Sequence, residues 1–142
     1  MKIIQFLIIA VSIGSICISV CAQTWTQTGA PTQYWNSVAC SADGSRLVAA
    51  VYGGGIYTST NSGVTWKLTS APSDGGADSS WMSVASSANG STLVAAGFYG
   101  NPIYVSTNYG VDWSSNGPAG NWQSVACSAD GRKIIAAAGI DA

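Results

Sequence analysis

The stretch Ser59 to Trp66, reading Ser-Thr-Asn-Ser-Gly-Val-Thr-Trp, returns as Ser106 to Trp113, reading Ser-Thr-Asn-Tyr-Gly-Val-Asp-Trp. Each copy follows a short apolar segment that carries a tyrosine, Ile56-Tyr57-Thr58 or Ile103-Tyr104-Val105. The pattern predicts a tight hairpin. Asn61 and Asn108 are placed to bond nearby backbone N–H groups through their side chains, and Gly63 and Gly110 supply the positive φ that a short loop demands. Trp66 and Trp113 then re-enter a strand, with a ring large enough to lie back over the turn and seal it from water.

Working outward, a second motif recurs three times. Trp35-Asn-Ser-Val-Ala-Cys-Ser-Ala-Asp-Gly matches the segments that begin at Trp81 and Trp122 almost residue for residue. The copies start 46 and 41 residues apart, and periods of that size mark solenoids, propellers or arrays. Within one unit the sequence predicts four strands in a meander: Trp81 to Ser87, Thr92 to Gly97, Ile103 to Ser106, and a last one opening at Trp113 or, one unit earlier, covering Trp66 to Thr69. The first two are joined through Asp43-Gly44, Asn89-Gly90 or Asp130-Gly131, which are strong hairpin signals. A calcium loop needs several oxygen ligands at close spacing; one Asp per turn is turn chemistry instead. Asn89-Gly90-Ser91 also fits a glycosylation acceptor, but the sister turns make the hairpin explanation sufficient.

The second strand of each unit, Leu47 to Val51, Leu93 to Ala96 and Ile134 to Ala138, does not alternate apolar with polar. Both of its faces are therefore expected to be buried, and in a repeat without helices the available cover is the neighbouring sheet. Small residues crowd the first strand (Ser37, Ala39, Ser83, Ala85, Ser124, Ala126), as expected where sheets converge near an axis. The fold class expected is all-β, a β-propeller of four-stranded antiparallel blades, about two to three of them in this chain.

The octets resemble the Asp-box, Ser-x-Asp-x-Gly-x-Thr-Trp, of the β-propellers of sialidases and of many non-enzymatic secreted or surface proteins. Asn61 and Asn108 stand in place of the usual Asp, and the structural positions carried over are Ser59, Asn61, Gly63, Trp66, Ser106, Asn108, Gly110 and Trp113. The resemblance marks a fold and carries over no active site. Sialidases of this fold use several arginines and a Tyr paired with a Glu. This chain has Arg46 and Arg132, both beside the first turns, and no Glu. Tyr57 and Tyr104 match one another across units, which makes them architecture before chemistry.

Lys2 precedes an apolar run, Ile3 to Val20, and Val20-Cys21-Ala22 presents modest or small residues where a signal peptidase reads. Residues 1–22 are thus expected to be a signal peptide, and residues 23–142 the repeat domain, exported, periplasmic or on the cell surface. Ser12, Gly14, Ser15 and Ser19 dilute the run and no basic stop-transfer segment follows, so no stable membrane insertion is expected; acylation at Cys21 is disfavoured by Val20. The net charge of −1 becomes −2 once Lys2 is removed with the leader, and with no basic patch nucleic acid is not an expected partner. His and Glu are both absent, which removes the usual general bases and common zinc ligands, so no catalytic residue, cofactor or metal is assigned. Cys40 and Cys127 occupy matching places in different units, where Ser86 stands in the middle one, and are expected to be small buried side chains apart from one another.

If strands alternate in direction, the two kinds of hairpin share one end of the unit and the remaining loops share the other. That second end carries Tyr52, Phe98 and Tyr99, and the long loop Ser70 to Ser80 with Asp74 and Asp78. Variable loops on a rigid scaffold are where binding concentrates, and these five residues are the candidate ligand contacts, for protein or carbohydrate, against the plainer reading of solvent-exposed glycine-rich connectors. The other functional readings are a glycoside hydrolase fragment whose catalytic residues lie elsewhere, since Asp74 and Asp78 on one flexible loop make a poor carboxylate pair, and a structural surface array. Rings need about four to eight blades. Open terminal blades in a shorter array are expected to expose apolar faces and self-associate.

Overall fold

The structure, a computed structural model, describes residues 25–72 and 80–139. Residues 1–22, the expected leader, and the loop acids Asp74 and Asp78 lie outside the described residues. Strands β1 (Trp35–Cys40), β2 (Leu47–Val51), β3 (Ile56–Ser59) and β4 (Lys67–Leu68) form an antiparallel sheet in chain order. A second sheet repeats this with β5 (Trp81–Ser86), β6 (Leu93–Gly97), β7 (Tyr104–Ser106) and β8 (Ser114–Ser115), and β9 (Trp122–Cys127) pairs with β10 (Ile134–Ala138). The fourth strands are only two residues long, shorter than the sequence suggests, because each makes just two residue pairs with the third strand of its sheet.

A bulge follows each strand-opening tryptophan of the first two sheets, shifting register between Trp35 and Ser37 and between Trp81 and Ser83. Strict alternation would put Trp81 and Val84, three residues apart, on opposite faces. The bulge absorbs one residue, and both side chains enter the same core. That core lies between the first two sheets: Val48, Ala50 and Ile56 meet Trp81, Val84, Leu93 and Ala95. A second one, between β6–β7 and β9, joins Ala85, Val94, Ala96, Ile103 and Val105 to Val125. Burying a side chain such as Ile56 or Val94, both fully enclosed, is worth about 1.5–3 kcal/mol.

The small residues of the first strands have a use beyond size. An outer sheet edge leaves backbone N–H groups in need of acceptors, and Ser37 Oγ accepts from Val84 N at 3.0 Å, as Ser83 Oγ does from Val125 N at 3.1 Å. A second rung runs through the turns, Ala42 N donating to Ala88 O at 2.7 Å and Ala88 N to Ala129 O at 2.8 Å. Successive sheets are thus stitched by the same two bonds. Upstream, Thr28 lies beside Gly63 as Thr69 lies beside Gly110, and Ala30 N bonds Thr28 Oγ1 as Ala71 N bonds Thr69 Oγ1. The matching of Trp25 to Pro31 with Trp66 to Pro72 in sequence is therefore matched in space, although residues 25–28 form a bridge at Gln27 and not a strand.

Two expectations fail for one reason. β2 and β6 are enclosed on both faces, but β10 is largely exposed, with Ile135 at 72%, and Cys40 is exposed where a small buried thiol was expected. Ile135 faces away from the second sheet and Cys40 away from it on the other side, so neither has a described sheet to cover it. Cys127, on the sheet face turned inward, packs against the second core, and burial pushes its thiol pKa up. The two thiols are free and apart, as expected.

Candidate binding site

Both kinds of hairpin do share one end. Ser62 N donates to Ser45 O at 2.9 Å and Tyr109 N to Ser91 O at 3.0 Å, fastening each octet to the first turn of its own sheet. Inside each octet the bonding is the same. Ser59 Oγ accepts from Gly63 N at 2.9 Å, Asn61 Oδ1 accepts from Thr65 N at 2.9 Å, and Trp66 Nε1 donates to Gly63 O at 3.1 Å. Ser106, Asn108, Gly110, Asp112 and Trp113 reproduce every one of these. Gly63 and Gly110 have φ of 86° and 84°, but Ser62 (55°) and Tyr109 (63°) also lie in the left-handed region. Two consecutive positive φ values define a primed turn, and Tyr109 is a bulky residue held there against its preference. Its ring takes the Arg46 guanidinium at 4.1 Å from the neighbouring sheet.

The described carboxylates at this end serve the turns. Asp43 accepts from the Ser41 and Ser45 hydroxyls and from Ser45 N, which hold its pKa down at about 2, the Ser41 bond contributing most. Asp130 is lowered likewise, by the Ser128 hydroxyl first and then Arg132 N. Asp112 Oδ2 accepts from Asn108 Nδ2 at 2.8 Å. Among the described residues no three of His, Cys, Asp or Glu come together as a metal site would require.

The opposite end gathers aromatic residues. The chain leaving the second strand of each unit donates back to the residue before the tryptophan: Tyr52 N to Tyr34 O at 2.8 Å, Phe98 N to Ser80 O at 2.9 Å, Gly139 N to Asn121 O at 2.9 Å. Tyr52 also forms an antiparallel bridge with Ser80, so Ser80 joins the Tyr52 loop to the Phe98 loop across the first seam. Farther along, Gly100 N donates to Asn121 Oδ1 at 3.1 Å and Asn101 bridges Gly120. Phe98 and Tyr99 meet edge to face at 5.1 Å, and Tyr99 is held at a φ of 59°. Tyr52 and Tyr99 are about half exposed and Tyr34 is 74% exposed.

Of the candidates read from the sequence, the structure brings Tyr52, Phe98 and Tyr99 to one end on one continuous backbone network, while Asp74 and Asp78 fall outside the described residues. Tyr34 belongs with them and was missed. Its signal was its place immediately before the repeated Trp, where the sister units carry Ser80 and Asn121. Tyr57 and Tyr104 instead pack edge to face on Trp35 and Trp81, with centroids 5.3 and 5.6 Å apart, as befits architecture. Below this end the Trp81 indole N–H is buried with no acceptor among the described residues. Trp35 and Trp122 donate to Pro31 O and Pro118 O, each at 3.2 Å; the position matching those prolines is Ala77, outside the described residues.

Among solved structures the chain is similar to the GH74 enzyme of Niastella koreensis, a β-propeller glycoside hydrolase, with a TM-score of 0.55 at 24% identity. The match covers 81% of this chain and 16% of that one, so the chain spans a small part of the length of the protein it matches. No protein-family model matches the chain, and neither does any curated protein. The fold is all-β, built of β-propeller blades, four-stranded and antiparallel in the first two sheets.

Proposed function

We propose that the chain is a secreted or cell-surface, non-catalytic propeller module of the Asp-box kind that binds carbohydrate at its aromatic end. The observation that carries this reading is the row of Tyr34, Tyr52, Phe98 and Tyr99 fixed to one another through the Tyr52–Ser80 bridge and the bonds of Phe98 and Tyr52. Tyrosine offers a flat apolar face with a polar tip, which suits a sugar ring with its apolar faces and hydroxyl rim, and a rigid backbone lowers the ordering cost of binding. Membership of the Asp-box group is supported by the identical bonding of the two octets, with Asn61 and Asn108 doing through one oxygen what the usual Asp does. Export is supported by the leader pattern at residues 1–22 alone.

Titration calorimetry of the purified chain with a soluble plant β-glucan tests the proposal. Tyr34→Ala, Tyr52→Ala and Tyr99→Ala should each weaken binding, and Tyr57→Phe should not. Absence of binding to β-glucan, xylan and a sialylated glycan alike would leave the carbohydrate reading without support. A second reading, a portion of a glycoside hydrolase with its catalytic residues elsewhere, is favoured by the likeness to a hydrolase fold. It predicts that a longer parent protein turns over a glycan that this chain only binds. Hydrolysis of a fluorogenic sialoside or of β-glucan by this chain itself would overturn the non-catalytic assignment.

A further inference from the structure

The two seams between sheets share one set of complementary positions, and a third set stands open on the outer faces. At the first seam Val48 packs in the same core as Val84, and at the second Val94 packs with Val125. The next residue in the forward series is Ile135, paired with Ala126 as Val48 is with Ala39 and Val94 with Ala85. The preceding member of the receiving series is Val38, paired with Ala49 as Val84 is with Ala95. Val84 and Val125 are 5% and 7% exposed, but Val38 is 61%, and Ile135 is 72% where Val48 and Val94 are both 0%. The open faces are therefore the two halves of the seam that is already built twice.

From this we infer that a second copy of this chain docks head to tail, its first sheet against the third sheet of its neighbour, with Ile135 of one copy packed on Val38 of the other. The polar groups fit as well as the apolar ones. Continuing the stitching bonds, Ser124 Oγ accepts from Val38 N of the second copy and Ala129 N donates to its Ala42 O, as Ser37 and Ala42 of one sheet serve Val84 and Ala88 of the next.

Charge supports the same pairing. At the first seam Arg46 lies on the turn at Gly90, its Cδ 2.7 Å from where a Gly90 Cβ would stand, and at the second Thr92 lies likewise on Gly131. Lys133 holds the corresponding place in the third sheet, and the turn it would cover, Asp43-Gly44, has nothing within 4 Å of a Gly44 Cβ. A lysine thus meets a turn with an ionised aspartate, Asp43, where the first seam sets Arg46 on the uncharged Asn89-Gly90 turn. Such a contact is heterologous, so the pair as a whole keeps one face of each kind free and further copies can add to it.

Sedimentation velocity across a concentration series tests the pairing, with circular dichroism as a check that each variant is folded. The unaltered chain should show dimers and larger species. Val38→Asp and Ile135→Asp, both at exposed positions, should each sediment as monomers. An equimolar mixture of the two should then recover a discrete dimer, because the first retains an intact third sheet and the second an intact first sheet. Lys133→Glu should weaken association, and Asp43→Lys should restore it in the Lys133→Glu background. A monomeric unaltered chain, variants that still associate, or a mixture that stays monomeric would each overturn the proposal; a single variant that still forms dimers would point to like-to-like pairing of faces.

Discussion

Val94 and Ile135 hold the same register position in successive sheets, opposite Ala85 and Ala126, yet one is fully buried and the other 72% exposed. Their strands are close in composition, Leu-Val-Ala-Ala-Gly against Ile-Ile-Ala-Ala-Ala. What differs is the neighbour. In this architecture a strand's burial is a property of the adjoining sheet, and the second strand of each unit is apolar on both sides in order to serve as one half of two seams.

The most severe way to break the comparison is to put a charge at both positions. Val94→Asp buries an unpaired carboxylate and should cost at least about 4 kcal/mol, enough to leave the chain largely unfolded. Ile135→Asp should change the stability of the dilute monomer by no more than about 0.5 kcal/mol. Urea titration followed by tryptophan fluorescence measures both. Similar losses at the two sites would mean that β10 is covered by something the described residues do not include.

A smaller contrast separates the turns. Gly44 and Gly90 share a positive φ, 70° and 73°, so replacing either by Ala incurs backbone strain of about 1 kcal/mol. Only at Gly90 does the new Cβ meet a side chain, Arg46, whose displacement would also give up its stacking on Tyr109, worth about 0.5–1 kcal/mol. Gly90→Ala should therefore lower the urea midpoint about twice as far as Gly44→Ala. Equal shifts would show that Arg46 moves aside freely and that the stacking contributes nothing.

The repeat period, the hairpins and the two-sided burial of β2 and β6 were legible in the sequence because each is written locally, in Asp-Gly and Asn-Gly pairs, in glycines at fixed offsets and in unbroken apolar runs. The sharing of one end by both kinds of turn followed from strand alternation. Less was legible of what depends on a neighbour. Ser62 and Tyr109 at positive φ carry no signal of their own, because it is the Ser59 and Asn61 bonds that force the turn and so the conformation. The hydroxyl rungs of Ser37 and Ser83 read only as small residues, and the exposure of Cys40 and Ile135 is set by what lies beyond the strands that hold them. At the candidate site Tyr52, Phe98 and Tyr99 were read from loop position. Tyr34 was hidden because its importance comes from a backbone bond across the unit.

The smallest expected effect compares the first turns with one another. In the middle sheet Asn89 Oδ1 accepts from the Ser87 hydroxyl, from Ser91 N and from the Ser91 hydroxyl, as Asp43 does from Ser41 and Ser45. Asn89 makes these bonds without an ionisable group, so that turn is indifferent to acid. Asp43 is not, because its folded pKa of about 2 lies below the ordinary 3.8. A group depressed on folding contributes stability that is fully present above its unfolded pKa and is lost as pH falls through the folded one. The loss from Asp43 should therefore begin below about pH 4 and be nearly complete near pH 2, with Asp130 adding in the same direction. Both carboxylates are fully exposed, so solvent screens the effect and a small slope is expected. The double variant Asp43→Asn, Asp130→Asn should flatten the thermal midpoint against pH over this window while leaving it close to the parent's at pH 7. An unchanged acid slope in that variant would mean that the serine bonds hold the turns equally well around a protonated carboxyl, and that the two kinds of turn are equivalent after all.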